Sequence, residues 1–255
     1  MGKGIPHSAL VHDHLKAYFA DARESAHNVS RKLSTQSEFV GIFRNSIAAY
    51  SVLAKFASGS RVSLLSTAAS TVRRCPLLIG FGQMSIARME VRRFIESTVR
   101  YPYFVEHPVE WSRVLSEPEV GTVKDESDPI GWCAARDQKW YVNYIKVRFP
   151  DGSGLVKESI DSYLRLYKEM STDIHVTKDA SLNLKITDAI EMPKPAVLKD
   201  FREKQRAAYK AGLVTALAVN PKKLNKLTAI ERSWFNWLLG ATDAKAILGG
   251  AFLSV

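Results

Sequence analysis

Val11, Leu15, Tyr18, Ala22, Ala26, Val29 and Leu33 follow one another at alternating four- and three-residue steps, the spacing of a long amphipathic helix. His14, Asp21, Arg23, Glu24 and Lys32 fall on its opposite face. Apolar and small residues continue from Phe39 to Phe56, and Ser58-Gly59-Ser60 breaks them. The Ser- and Ala-rich stretch from Val62 to Val72 predicts another helix, packed closely because its residues are small. Cys75-Pro76 and then Gly80-Phe81-Gly82 punctuate the chain before a further helix over Arg88 to His107. Pro108 opens a short helix over Val109 to Leu115, so four to five helices are expected before residue 116.

Beyond that point the character changes. Residues 117–132, EPEVGTVKDESDPIGW, are acidic and turn-rich, and WYVNYIKVRFPDGSG carries β-branched and aromatic residues closed by a Pro-Asp-Gly turn signal. One or two short strands are expected there. Helical spacing returns at Val156, Ile160, Tyr163, Tyr167 and Met170, and a polar link follows through Pro193 and Pro195. Phe201, Gln205, Ala208, Gly212, Ala216 and Val219 line a long helix stopped by Asn220-Pro221. Thr228 and Glu231 stand at capping-box positions for a last helix running from Ile230 to about Phe252. The expected fold is all-α or mainly α: a helical domain over 1–116, an irregular or β-containing insertion over 117–154, and a helical segment over 155–255 packed on the first.

With 46% apolar residues in 255, the chain can bury a core without staples. Cys75 and Cys133 have no metal-ligand or redox spacing and are expected as ordinary buried thiols of a reducing compartment. The start MGKGIPHS carries no export or lipid signal, and Arg232, Asp243 and Lys245 interrupt the last apolar stretch, so a cytoplasmic chain without a membrane span is expected. The net charge is +10, with most of the excess before residue 117. Such a balance favours a polyanionic partner, nucleic acid first.

No Gly-rich phosphate loop, HExxH, paired CxxC or Gly-x-Ser-x-Gly elbow is present, which removes the common nucleotide-hydrolase, metalloprotease and α/β-hydrolase chemistries. His12 and His14 point to different sides of a helix and make no joint metal site; neither a metal nor a cofactor is expected. Arg23 and His27, one turn apart, read as a solvated pair, and His175 lies in a polar link. The concentration of ionisable residues lies in RMEVRRFIESTVRYPYFVEHPVEW, from Arg88 to Trp111. At about 100° per residue, the seven-residue steps Arg93 to Arg100 and Arg100 to His107 each drift by only about 20°. Arg93, Glu96, Arg100 and His107 therefore share a face amid Tyr101, Tyr103, Phe104 and Trp111. A purely structural account pairs Arg93 with Glu96 or a carboxylate on a neighbouring helix and uses His107 to cap a helix end beside Pro108.

Arg100-Tyr-Pro-Tyr-Phe-Val-Glu-His107 also resembles the arginine, four to six residues, histidine pattern of HEPN-domain proteins, and residues 8–116 resemble their helical domain. Where that family often has a small polar residue after the arginine, this chain has Tyr101 and then Pro102. The resemblance implies a prokaryotic toxin or abortive-infection, phage-defence factor that cleaves RNA without metal. His107 would be the general acid or base and Arg100 the phosphate clamp, with Arg93 and Glu96 in support. It also implies a homodimer with two motifs at one cleft, and a partner protein of a defence or toxin–antitoxin system. The competing reading is a non-catalytic helical adaptor or sensor that docks nucleic acid or an acidic protein through Arg73, Arg74, Arg92, Lys222 and Lys223.

Overall fold

A computed structural model describes residues 7–116, 138–148, 155–171 and 192–247. The described elements are α1 (His7–Leu33), α2 (Ser37–Ala57), α3 (Leu64–Gly80), α4 (Met84–Glu106), α5 (Pro108–Ser116), α6 (Gln138–Arg148), α7 (Leu155–Ser171), α8 (Pro195–Val219), a 3-10 turn (Pro221–Lys226), α9 (Ala229–Leu239) and α10 (Ala241–Ala246). No strand occurs among the described residues, so the all-α expectation holds.

Two long helices organise the rest. Helix α4 packs against α3, α6, α7 and α8, while α8 also packs against α2, α7 and α9. One apolar core runs through all of these helices and crosses the boundaries drawn from sequence, with Phe56, Phe94, Tyr141, Tyr163, Phe201, Tyr209 and Phe235 among its fully buried side chains. Phe94 meets Tyr209 edge to face at 4.8 Å. Val29 and Leu33, from the seam expected in α1, are buried.

Several polar groups inside this core find partners there. The wholly buried Gln205 accepts a bond from Asn45 Nδ2 at 3.1 Å, and its own Nε2 donates to Ser46 at 3.1 Å and toward Cys75 Sγ at 3.4 Å. Tyr163 donates to Thr98 at 3.0 Å between α7 and α4. Burial pushes the Cys75 thiol up to about 12, which fits the expected inert thiol; Cys133 lies outside the described residues.

The ends follow local chemistry. Helix α2 stops before Gly59 at φ 72°, and α3 stops before Gly82 at φ 73°. Pro195 opens α8 at its first turn, six residues before the expected Phe201. At α9, Thr228 and Glu231 form the expected capping box.

Three expectations are corrected. The aromatic stretch from Gln138 to Arg148 is helix, not strand, because Gln138, Tyr141, Val142 and Ile145 recur at helical spacing and all four are buried against neighbouring helices. The expected turn-rich stretches 117–132 and 149–154 lie outside the described residues. Cys75-Pro76 does not end its helix, since α3 runs through it to Gly80. The single final helix is divided at Gly240, whose φ of 92° breaks the ladder between α9 and α10.

Helix α8 approaches α4 closely at Gly212. A Cβ there would press on the Phe94 ring, 2.6 Å from Cε1, and stand 3.1 Å from Thr98 Cγ2. Phe94 is fully buried and has nowhere to go. Gly212→Ala is expected to destabilise the chain by about 1–3 kcal/mol in urea unfolding, the scale of core overpacking. An unchanged midpoint would show that α4 and α8 are not in close contact here.

Candidate functional site

The last turns of α4 carry the sequence-predicted pair. Arg100 and His107 both face α6: the Arg100 guanidinium carbon lies 5.7 Å from the Tyr141 ring centre, and the His107 ring lies 6.0 Å from that of Tyr144. Tyr141 and Tyr144 are one turn apart on α6. The two residues thus lie along one seam despite Pro102, through which α4 remains continuous.

Aromatic rings build the seam. Tyr103 stacks on His107 with ring centres 4.1 Å apart, and meets Trp140 and Tyr144 edge to face, each at 5.1 Å. Trp140 and Tyr144 stack on each other at 5.8 Å. Sequence reasoning missed this wall because its residues were assigned to strands.

His107 ends α4. The Tyr103 carbonyl accepts from the His107 backbone N–H at 3.0 Å and lies 2.8 Å from the His107 Nδ1. A carbonyl only accepts, so the neutral imidazole carries its proton on Nδ1 and presents a lone pair at Nε2. That is also the helix-end role foreseen for it. Half-buried Arg100 has a buried Nε with no acceptor among the described residues.

Carboxylates rim the seam and are tied. Glu110 accepts from Tyr103 at 2.5 Å, while Glu106 accepts from Tyr144 and from Arg148 Nε at 2.9 Å. Burial pushes the Glu106 carboxyl up, but hydrogen bonds from Tyr144 and Arg148, with the charges of Arg148 and His107, outweigh it and hold the carboxyl below its ordinary value.

The remaining predicted residues are dispersed. Arg93 pairs with Glu90 at 3.2 Å, not with Glu96. Buried Glu90 also takes Arg74 at 2.8 Å, which ties α3 to α4. Glu96 instead pairs with Arg92 at 3.1 Å, and Tyr167 on α7 bonds to both. Arg73 is exposed, its guanidinium 5.1 Å from the Tyr50 ring centre. Lys222 is exposed, and Lys223 donates to the Ser58 carbonyl. Arg23 and His27 are exposed on α1, the side chains of His12 and His14 are not described, and His175 lies outside the described residues.

Among the described residues no group of three or more His, Cys, Asp or Glu side chains is placed to hold a metal ion, and no helix is long and apolar enough to cross a membrane. Comparison with known proteins yields no matching family model, no matching curated protein and no matching solved structure.

Because Glu106 is more acidic in the fold than in the unfolded chain, its contribution to stability is present above the ordinary carboxylate range and lost as pH falls through the lowered value. Glu106→Gln should therefore melt below wild type near neutral pH, and the two should converge in acid. Thermal melts taken between about pH 3 and pH 7 check this, and a pH-independent gap would contradict it.

Proposed function

We propose that the α4–α6 seam is a metal-independent RNA-cleaving site of the HEPN kind. The observation that carries the reading is the tethered imidazole of His107: the Tyr103 carbonyl takes the Nδ1 proton's hydrogen bond and leaves Nε2 to act as a base. His107 Nε2 takes the proton of a ribose 2′-hydroxyl as its oxygen attacks the adjacent phosphorus. The P–O bond to the 5′-oxygen breaks, and the imidazolium returns the proton to that leaving oxygen. The products are a 2′,3′-cyclic phosphate and a 5′-hydroxyl. Arg100, with an unclaimed Nε, supplies donors to the equatorial phosphate oxygens. Trp140 and Tyr144 offer ring faces beside His107 for base stacking.

The RNA substrate, the homodimer, the partner protein and the toxin or phage-defence setting belong to this reading and rest on the resemblance of the Arg100 to His107 motif. Arg93 and Glu96 hold other partners, so their part in it is to fix α4 against α3 and α7 through Glu90, Arg92 and Tyr167. One observation favours the non-catalytic adaptor instead. The same tether that orients His107 closes a helix end, a role that needs no substrate.

Labelled single-stranded RNA incubated with the purified chain and a chelator separates the two. Cleavage to cyclic-phosphate ends is expected, reduced about 10²-fold or more in His107→Ala and about 10²- to 10³-fold in Arg100→Ala, with both variants folded. Salt-sensitive RNA retention without cleavage by wild type would transfer the assignment to the adaptor.

A further inference from the structure

Tyr101 and Val105 stand about 110° and about 150° around α4 from the Arg100 and His107 face, where the last turns form the floor of a second feature. Tyr101, Val105 and Pro108 line a cleft of about 280 Å³, closed on one side by the α2–α3 loop and on the other by the start of the 3-10 turn. The cleft is therefore separate from the seam.

Its charge is one-sided. Arg61 and Lys223 line it, and among the described residues no carboxylate does. Arg61 is exposed and makes no hydrogen bond or ion pair among the described residues. Lys223 is held in place by the Ser58 carbonyl, and burial together with the charge of Lys226 pulls its ammonium pKa down. Half-buried Lys223 and exposed Arg61 share this cleft with no carboxylate among its described lining residues, and a bound anion relieves their repulsion and the desolvation of Lys223. Gly59, at φ 72°, turns the loop so that Ser60 and Arg61 reach the rim; no atom lies within 4 Å of where its Cβ would stand, so conformation rather than space requires glycine there. Burial pushes the Tyr101 hydroxyl up, against the pull of a Ser60 hydrogen bond, so it stays a protonated donor within the lining.

We propose that this cleft binds a phosphate monoester, with the phosphate between Arg61 and Lys223 and the apolar remainder against Tyr101, Val105 and Pro108. Arg61 supplies a planar fork and Lys223 a point charge, the two usual donors to phosphate oxygens. The volume, at the low end of ligand pockets, takes one phosphate and one ring system rather than a dinucleotide. A free mononucleotide and the phosphorylated end of an RNA strand share this chemistry.

Isothermal titration of the full chain tests it with four probes: AMP, adenosine, and one oligoribonucleotide bearing either a 5′-phosphate or a 5′-hydroxyl. AMP should bind at least about tenfold more tightly than adenosine, the scale of one charge-assisted contact. Arg61→Ala and Lys223→Ala should each weaken AMP about tenfold whether or not the chain cleaves RNA, so loss of the cleavage reading does not decide this one. A phosphorylated oligonucleotide that outbinds both AMP and its hydroxyl twin assigns the site to strand ends; AMP binding as tightly or more tightly assigns it to free nucleotides. Absence of AMP binding, equal binding of adenosine, or indifference to both cleft substitutions would overturn the proposal. Arg61 is a surface residue, so its variant remains informative if Lys223→Ala folds poorly.

Discussion

Gln205 is the polar constraint on which the bundle depends. A primary amide buried among apolar side chains is tolerated only when its donors and acceptor find partners, and here those partners come from two other helices. Asn45 and Ser46 belong to α2, Cys75 to α3, and Gln205 to α8. Sliding any one helix by a residue would leave buried groups unpaired, each at about 1–3 kcal/mol. Hydrophobic contact alone is less selective. The network therefore fixes register, and register places α4 between α3 and α8 with its final turns against α6.

Helix α4 then divides its circumference among unlike tasks. Val91, Phe94, Ile95 and Val99 enter the core, Glu90 binds both Arg93 and Arg74 of α3, and Arg92 with Glu96 reaches Tyr167 on α7. Its charge is largely consumed in holding helices together until the last turns, where Arg100 and His107 meet aromatic rings instead of carboxylates. Arg74, Arg92 and Arg93 are engaged in ion pairs with Glu90 and Glu96, whereas Arg61, Arg73 and Lys222 are exposed and make no ion pair among the described residues.

Much of the architecture was legible because it rests on period and punctuation. Ser58-Gly59-Ser60, Gly80-Phe81-Gly82, Asn220-Pro221 and the Thr228 capping box each act within a few residues of themselves, and each stands where local chemistry put it. The α6 stretch was misread because Trp140, Tyr141, Val142 and Tyr144 favour strands by type while their spacing favours a helix; packing against α4 and α7 decides for spacing. Pro76 misled for the opposite reason, since tertiary packing carries α3 past a residue that costs one backbone bond. At the site, the shared face of Arg100 and His107 was a matter of angle and could be read. The partners of Arg93 and Glu96 could not, because Glu90 and Arg92 compete at equally short helical steps and the outcome depends on Arg74 and Tyr167 from other helices.

The thiol inside the Gln205 network has one more consequence. Alkylating reagents attack thiolate, and Cys75 is both sealed from solvent and held in its protonated form by burial. Modification at this sulfur must wait for α2, α3 and α8 to separate. Its labelling rate therefore measures the opening of the bundle's centre, which makes Cys75 a native gauge of the cooperativity of these three helices.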